Sequence, residues 1–187
     1  NMSHATMTPL TAIIGFAEVM LQHKTSREDS VKYLNTIIGS GRHLTTLLGE
    51  ILDISKIENK KLELEALRFN LPNLLQDIEQ MYLFNCKKER LDFAMIMDSA
   101  IPEWIVADPT RLKQVMHNLL NNAIKFTESG HIEVLVDREK VVGSDKSMLH
   151  LRINDTGIGM DQATCERVFE PFTQADASTT RQYGGTG

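Results

Sequence analysis

From residue 34 to residue 57 the chain sets Leu34, Ile37, Ile38, Gly41, Leu44, Leu48, Ile51, Leu52, Ile54 and Ile57 at close to seam spacing. A repeat of about 3.5 residues is the period of a helix packed along a bundle. A strand cannot use it, because strand side chains alternate with a period of two. The polar segment 24-KTSREDS-30 comes just before and holds the cap formers Ser26, Asp29 and Ser30, so the helix is expected to begin there. Residues 3–23 carry a second helical stripe of Leu10, Ile13, Ile14, Ala17, Val19, Met20 and Leu21. Pro9 lacks an amide donor and is expected to bend or delay that first helix. Two helices alone cannot enclose so wide an apolar face. The pattern therefore predicts an α-helical hairpin that dimerises into a four-helix bundle.

Beyond about Leu62 the periodicity changes. Asn70 to Asn85 reads as a helix with Leu71, Leu74, Leu75, Ile78, Met81 and Tyr82 on one side, and Leu91 to Met97 as a strand. A strong helix follows, with Asp108 as N-cap, Pro109 in the first position and Gly130 closing the stretch. His131 to Val136 and Met148 to Ile153 read as strands, and the last thirty residues as a Gly-rich, polar loop. Mixed elements after an all-helical hairpin predict two domains, 1–65 and 66–187. A length of 187 residues suits two units of that size.

Composition excludes several functions. The net charge is −5 and no Lys/Arg run exceeds two residues, so the concentrated basic surface that nucleic acid requires is missing. Cys86 and Cys165 form no CxxC pair or metal-ligand spacing, and the expectation is two reduced thiols in a cytoplasmic protein. No apolar run approaches the roughly 20 residues of a membrane span. The chain opens on Asn1 without a signal-like segment. It is expected to be a fragment, any membrane anchor lying outside it.

Three groups of residues carry candidate chemistry. The helix over 109–127 sets Asn118, Asn122 and Lys125 on one face, a set able to hold a hydrated Mg²⁺ and phosphate oxygens or simply to face solvent. In 155-DTGIGM-160, Asp155 can accept a hydrogen bond from an exocyclic amine, while Gly157 and Gly159 let the backbone approach a flat ring. An ordinary Asx turn would use the same residues. Further on come 169-FEPF-172 and 184-GGTG-187, the latter a phosphate cradle or a flexible turn.

Taken in order, NxxxNAxKFT, DxGxG, FEPF and GGTG resemble the catalytic and ATP-binding domain of sensor histidine kinases of two-component systems, where they are the N box, first glycine box, F box and second glycine box. Upstream, 2-MSHATMTPL-10 resembles the family's phosphoacceptor box, and 51-ILDISKIE-58 the end of its second bundle helix. The resemblance spans the whole chain. It implies a dimeric histidine-bearing hairpin followed by an α/β sandwich ATP-binding domain of the histidine kinase and gyrase type, broken off within the second glycine box. It implies ATP and Mg²⁺ as cofactors, and a homodimer and a response-regulator receiver domain as partners. By the same resemblance His4 is the phosphorylated histidine and Thr8 orients water for dephosphorylating the partner. Asn122 and Asn118 hold Mg²⁺, Lys125 faces the phosphates, Asp155 holds the adenine amine, and Gly157 and Gly159 shape its pocket. Phe169 and Phe172 pin a lid running from about Met160 to Tyr183. Arg181, Tyr183, Gly185 and Gly187 border the phosphates and ribose. His23, His43, His131 and His150 are read as structural, as is His117, although it adjoins Asn118.

Besides its break in the second glycine box, the sequence departs from the family pattern beside the histidine. The family sets an acidic residue directly after the histidine and a basic residue two further on, where this chain has Ala5 and Met7. The acidic group is the family's candidate general base, so a catalytically weakened kinase, acting as a phosphatase or nucleotide-binding scaffold, is the alternative. An ATPase of the gyrase and chaperone type would need a glutamate near Asn118, and it lacks the histidine hairpin.

Overall fold

The computed structural model describes residues 2–22, 25–141, 143 and 147–168. They fall into two compact units: residues 1–62, with which the short helix starting at Gln162 is grouped, and residues 63–161.

The first unit is the expected hairpin of α1 (Met2–Gln22) and α2 (Arg27–Glu58). Ser26 caps α2, its hydroxyl oxygen accepting from the Asp29 amide at 3.0 Å, and Glu28 and Asp29 supply negative charge to the first turn. Phe16 stacks on Tyr33 across the pair, ring centroids 5.2 Å apart. Helix α1 runs through Pro9 instead of starting after it, which corrects the expectation of a delayed helix. The cost is confined to the carbonyl four residues earlier, which loses its amide partner; Pro9 is itself buried, and that burial offsets part of the loss.

Helix α2 presents two neighbouring seams. Tyr33, Ile37, Leu44, Leu47, Ile51 and Ile54 are buried or half-buried in the hairpin. One position further round, Leu34, Ile38, Leu48 and Leu52 are exposed, Leu52 to 61%. Met7, Leu10 and Ile14 of α1 are exposed as well.

The second unit is an α/β sandwich. Helices α3 (Leu71–Lys88) and α4 (Pro109–Phe126) pack on a sheet in which β4 (His131–Lys140) runs between β2 (Asp92–Met97), its parallel neighbour, and β5 (Ser147–Asp155), its antiparallel one. On the inner face of β4, Ile132, Val134 and Val136 are fully buried against Leu71, Leu75, Ile78 and Tyr82 of α3 and Met116, Leu120 and Ala123 of α4. Asn70 caps α3, its Oδ1 accepting from the Asn73 amide at 2.9 Å. Asp108 caps α4, accepting from the Arg111 amide at 2.9 Å through Oδ1 and from the Glu65 amide at 3.1 Å through Oδ2. Those two amides hold the Asp108 carboxyl below the usual carboxylate range.

Three features differ from the sequence expectation. A second sheet pairs β1 (Leu67–Asn70) with β3 (Trp104–Ala107), Phe69 opposite Ile105; four-residue strands carry too little alternation to stand out. The β4–β5 hairpin is longer than its apolar stretches because charged pairs continue it, Asp137 meeting both His150 and Arg152. The final segment is not all loop. Gln162–Arg167 forms α5, with Gln162 donating to Glu166 one turn on.

Candidate nucleotide site

The site is built where α4 ends. A helix leaves its last carbonyls without internal partners, and here the Phe126 carbonyl accepts from the Ile158 amide at 3.2 Å. That bond docks the loop 155–160 against the turn that carries Lys125. Asp155, the last residue of β5, turns the chain by accepting from the Gly157 amide at 2.9 Å. The Asx turn and the ligand-facing role are thus compatible, and the Asp155 side chain remains exposed. A Cβ on Gly157 would collide with the Phe126 carbonyl oxygen and lie 2.8 Å from Asp155 Oδ1. Gly159 is required for a different reason: its φ of +67° is left-handed, with open space around it.

The other wall of the corner is pinned by Thr156. Its hydroxyl oxygen accepts from the His131 amide at 3.0 Å, and a Cβ on Gly130, at φ +117°, would strike that same oxygen. The Gly130 turn, the start of β4 and the end of β5 are thereby held together beside the last turn of α4.

Along α4, Asn118 and Asn122 are exposed, one turn apart. At about 1.5 Å rise per residue, Asn118 lies roughly 12 Å before Phe126. The polar stripe therefore leads away from Asp155 over about two turns. Lys125 is half-buried, its Nζ 4.8 Å from the centre of the Phe126 ring, and burial pushes its ammonium below the ordinary lysine range. Two neutral amide oxygens suit Mg²⁺, which takes oxygen ligands and keeps several waters, and a partly desolvated ammonium suits phosphate. The structure brings Asn118, Asn122, Lys125, Asp155, Gly157 and Gly159 into one unit. Phe169, Phe172, Arg181, Tyr183, Gly185 and Gly187 lie outside the described residues.

His4 lies in the first turn of α1, and Thr8 one turn later. Thr8 is exposed and lines an apolar groove of about 660 Å³ with Met7, Thr11, Ala12, Gly15, Phe16 and Val19. Among the described residues no helix is long and apolar enough to cross a membrane, and no cluster of three metal-ligating side chains occurs. Sequence reasoning placed Tyr82 only on the apolar stripe of α3 and passed over Asn121; the structure sets the Tyr82 hydroxyl 2.8 Å from Asn121 Oδ1.

Two family models match the chain. Residues 1–60 match the His Kinase A (phospho-acceptor) domain, and residues 107–187 match the histidine kinase-, DNA gyrase B- and HSP90-like ATPase family. The chain is the core of a sensor histidine kinase. Over its whole length it is 39% identical to the autoinducer 2 sensor kinase/phosphatase LuxQ of Vibrio vulnificus, spanning 22% of that protein. Two solved histidine kinases share the architecture. Full-length ShkA in complex with AMPPNP is 25% identical, with a TM-score of 0.68 over 95% of this chain and 37% of that one. ThkA in complex with the response regulator TrrA is 28% identical, with a TM-score of 0.60 over 92% and 48%.

Proposed function

We propose that this histidine kinase core binds Mg²⁺-ATP, phosphorylates His4 and passes the phosphoryl group to an aspartate of a response-regulator receiver domain, working as a homodimer. The observation that carries the reading is the corner just described, where the Asn118–Asn122–Lys125 stripe runs into the Asp155–Gly159 loop through the Ile158–Phe126 hydrogen bond. One end offers a carboxylate for the adenine amine, and the other amides and an ammonium for the phosphates. AMPPNP bound by ShkA and the regulator bound by ThkA point the same way.

The chemistry asks mainly for positioning and charge neutralisation, because the phosphoryl group passes through a loose transition state. A ring nitrogen of neutral His4 forms the new P–N bond as the bond from phosphorus to the ADP oxygen breaks. The ring is left cationic and loses its other N–H proton to a base or to water. Lys125 offsets charge at the phosphates, and Asn118 and Asn122 would hold Mg²⁺, which would supply further neutralisation. The phosphoramidate then transfers its phosphoryl group to a carboxylate as the ring takes a proton back, restoring the neutral imidazole. Exposed Leu34, Ile38, Leu48 and Leu52 supply the face for the second protomer. Substituting Asn122→Ala in the full-length protein is expected to weaken Mg²⁺-ATP binding with the fold intact. Unchanged affinity by calorimetry would return Asn122 to a structural role.

One feature favours a second reading. Ala5 and Met7 stand where the family has an acidic and a basic residue, so the proton acceptor beside His4 is missing. A slow autokinase that chiefly removes phosphate from its regulator, with Thr8 placing the water, fits that local chemistry.

A further inference from the structure

Tyr82 lies on α3 with only 1% of its surface exposed, stacked against Phe93 at a centroid separation of 6.3 Å. Its hydroxyl is aimed at α4, 2.8 Å from Asn121 Oδ1, 3.1 Å from His117 Nδ1 and 3.2 Å from the His117 carbonyl oxygen. A phenol has one proton to donate. The shortest contact assigns it to Asn121 Oδ1, which leaves the phenol oxygen to accept from His117 Nδ1–H. Asn121 is exposed apart from this contact, so its amide is fixed with the oxygen inward and Nδ2 directed away from Tyr82. In sequence it stands three residues after Asn118, directly before Asn122 and four before Lys125. On a helix the separations of three and four set Asn121 on the face of Asn118 and Lys125, with Asn122 one position round from it.

We propose that Asn121 is a further nucleotide-binding residue, donating from Nδ2 to a phosphate oxygen of a purine nucleoside triphosphate, and that Tyr82 is the positioning residue that sets this amide's orientation. The inference rests on the nucleotide-binding reading above and adds a donor to it. The stripe otherwise offers the phosphates one ammonium and two amides assigned to Mg²⁺. A third amide held by a buried hydroxyl presents a donor without the entropic cost of ordering it on binding. Tyr82→Phe would keep the ring in the core and release the Asn121 amide together with the His117 ring nitrogen.

The test compares affinities for ATP and adenosine, with Mg²⁺ present, in full-length wild-type protein and in Asn121→Ala, Tyr82→Phe and the double variant. A hydrogen bond to a charged group is worth roughly tenfold or more in affinity. Asn121→Ala is therefore expected to weaken ATP about tenfold and leave adenosine unchanged. Tyr82→Phe should give a smaller loss confined to ATP, and the double variant should match Asn121→Ala, since both act through one contact. A merely structural role would lower both affinities together or change only the melting temperature, and either result overturns the proposal. ATP binding by Asn121→Ala equal to wild type overturns it as well, with the parent reading intact. Wild-type protein that binds neither ligand would instead remove the parent reading and this proposal with it.

Discussion

Gly157 and Gly159 stand two residues apart in one loop, and the structure requires each for its own reason. At Gly157 an added methyl would meet the Phe126 carbonyl oxygen closer than any real Cβ contact, with Asp155 Oδ1 at 2.8 Å and the Phe126 carbonyl carbon at 2.9 Å. Backbone and a short side chain crowd the position, so no flexible tip can swing aside. Forcing a methyl into a packed site costs roughly 1–3 kcal/mol. If the loop yields instead, the Ile158–Phe126 hydrogen bond and the Asp155–Gly157 turn are the contacts that open. Expressed in binding, that range is roughly a 5- to 150-fold loss of ATP affinity. Expressed in stability, it is a drop of at least about 4 °C in the melting temperature of a domain this size. Gly159 has open space but a left-handed φ of +67°, a conformation that asparagine adopts more readily than other non-glycine residues. Gly159→Asn should thus retain most binding, whereas Gly157→Asn should not. Calorimetry with Mg²⁺-ATP and thermal unfolding on both variants, with Gly157→Ala alongside, read the difference. Gly157→Ala with wild-type affinity and melting temperature would refute the collision.

Two other expectations follow from the hairpin. Leu48→Glu with Leu52→Glu places two charges on the exposed seam of α2 and should convert a dimer to a monomer at micromolar concentration; light scattering that shows wild type already monomeric would count against the seam. A positioned general base contributes about 10²- to 10⁴-fold to proton transfer, so Ala5→Glu should raise the autophosphorylation rate by at least about tenfold at equal ATP occupancy. A wild-type rate equal to the variant's would mean that another group takes the imidazole proton.

The long-period elements were legible in the sequence because each carried its own punctuation. Ser26, Asn70 and Asp108 were cap-forming residue types at the observed starts of α2, α3 and α4, and each accepts from the amide three residues on. The buried side of α3 matches the expected stripe at Leu71, Leu74, Leu75, Ile78 and Tyr82, while Met81 is half exposed. The β1–β3 pair escaped notice because a strand of four residues offers two inward positions, too few to separate alternation from chance. Helix α1 passing through Pro9 is a tertiary result: packing against α2 outweighs a local penalty confined to one carbonyl. For the candidate site, ordered motifs alone single out Asn118, Asn122, Lys125 and Asp155. The reason Gly157 must be glycine was not legible there, since it depends on the carbonyl of Phe126, thirty-one residues earlier in sequence. The Tyr82–Asn121 contact likewise joins residues 39 apart, which no local pattern records.

In the proposed reaction a nucleotide held by the second unit phosphorylates a histidine of the first. Incubating the full-length protein with γ-labelled ATP and Mg²⁺, then treating the product with acid and with alkali, tests it most directly. Label that is lost in acid, survives alkali and is absent from His4→Ala is the expected result. Label that survives acid, or that persists undiminished in His4→Ala, would contradict it.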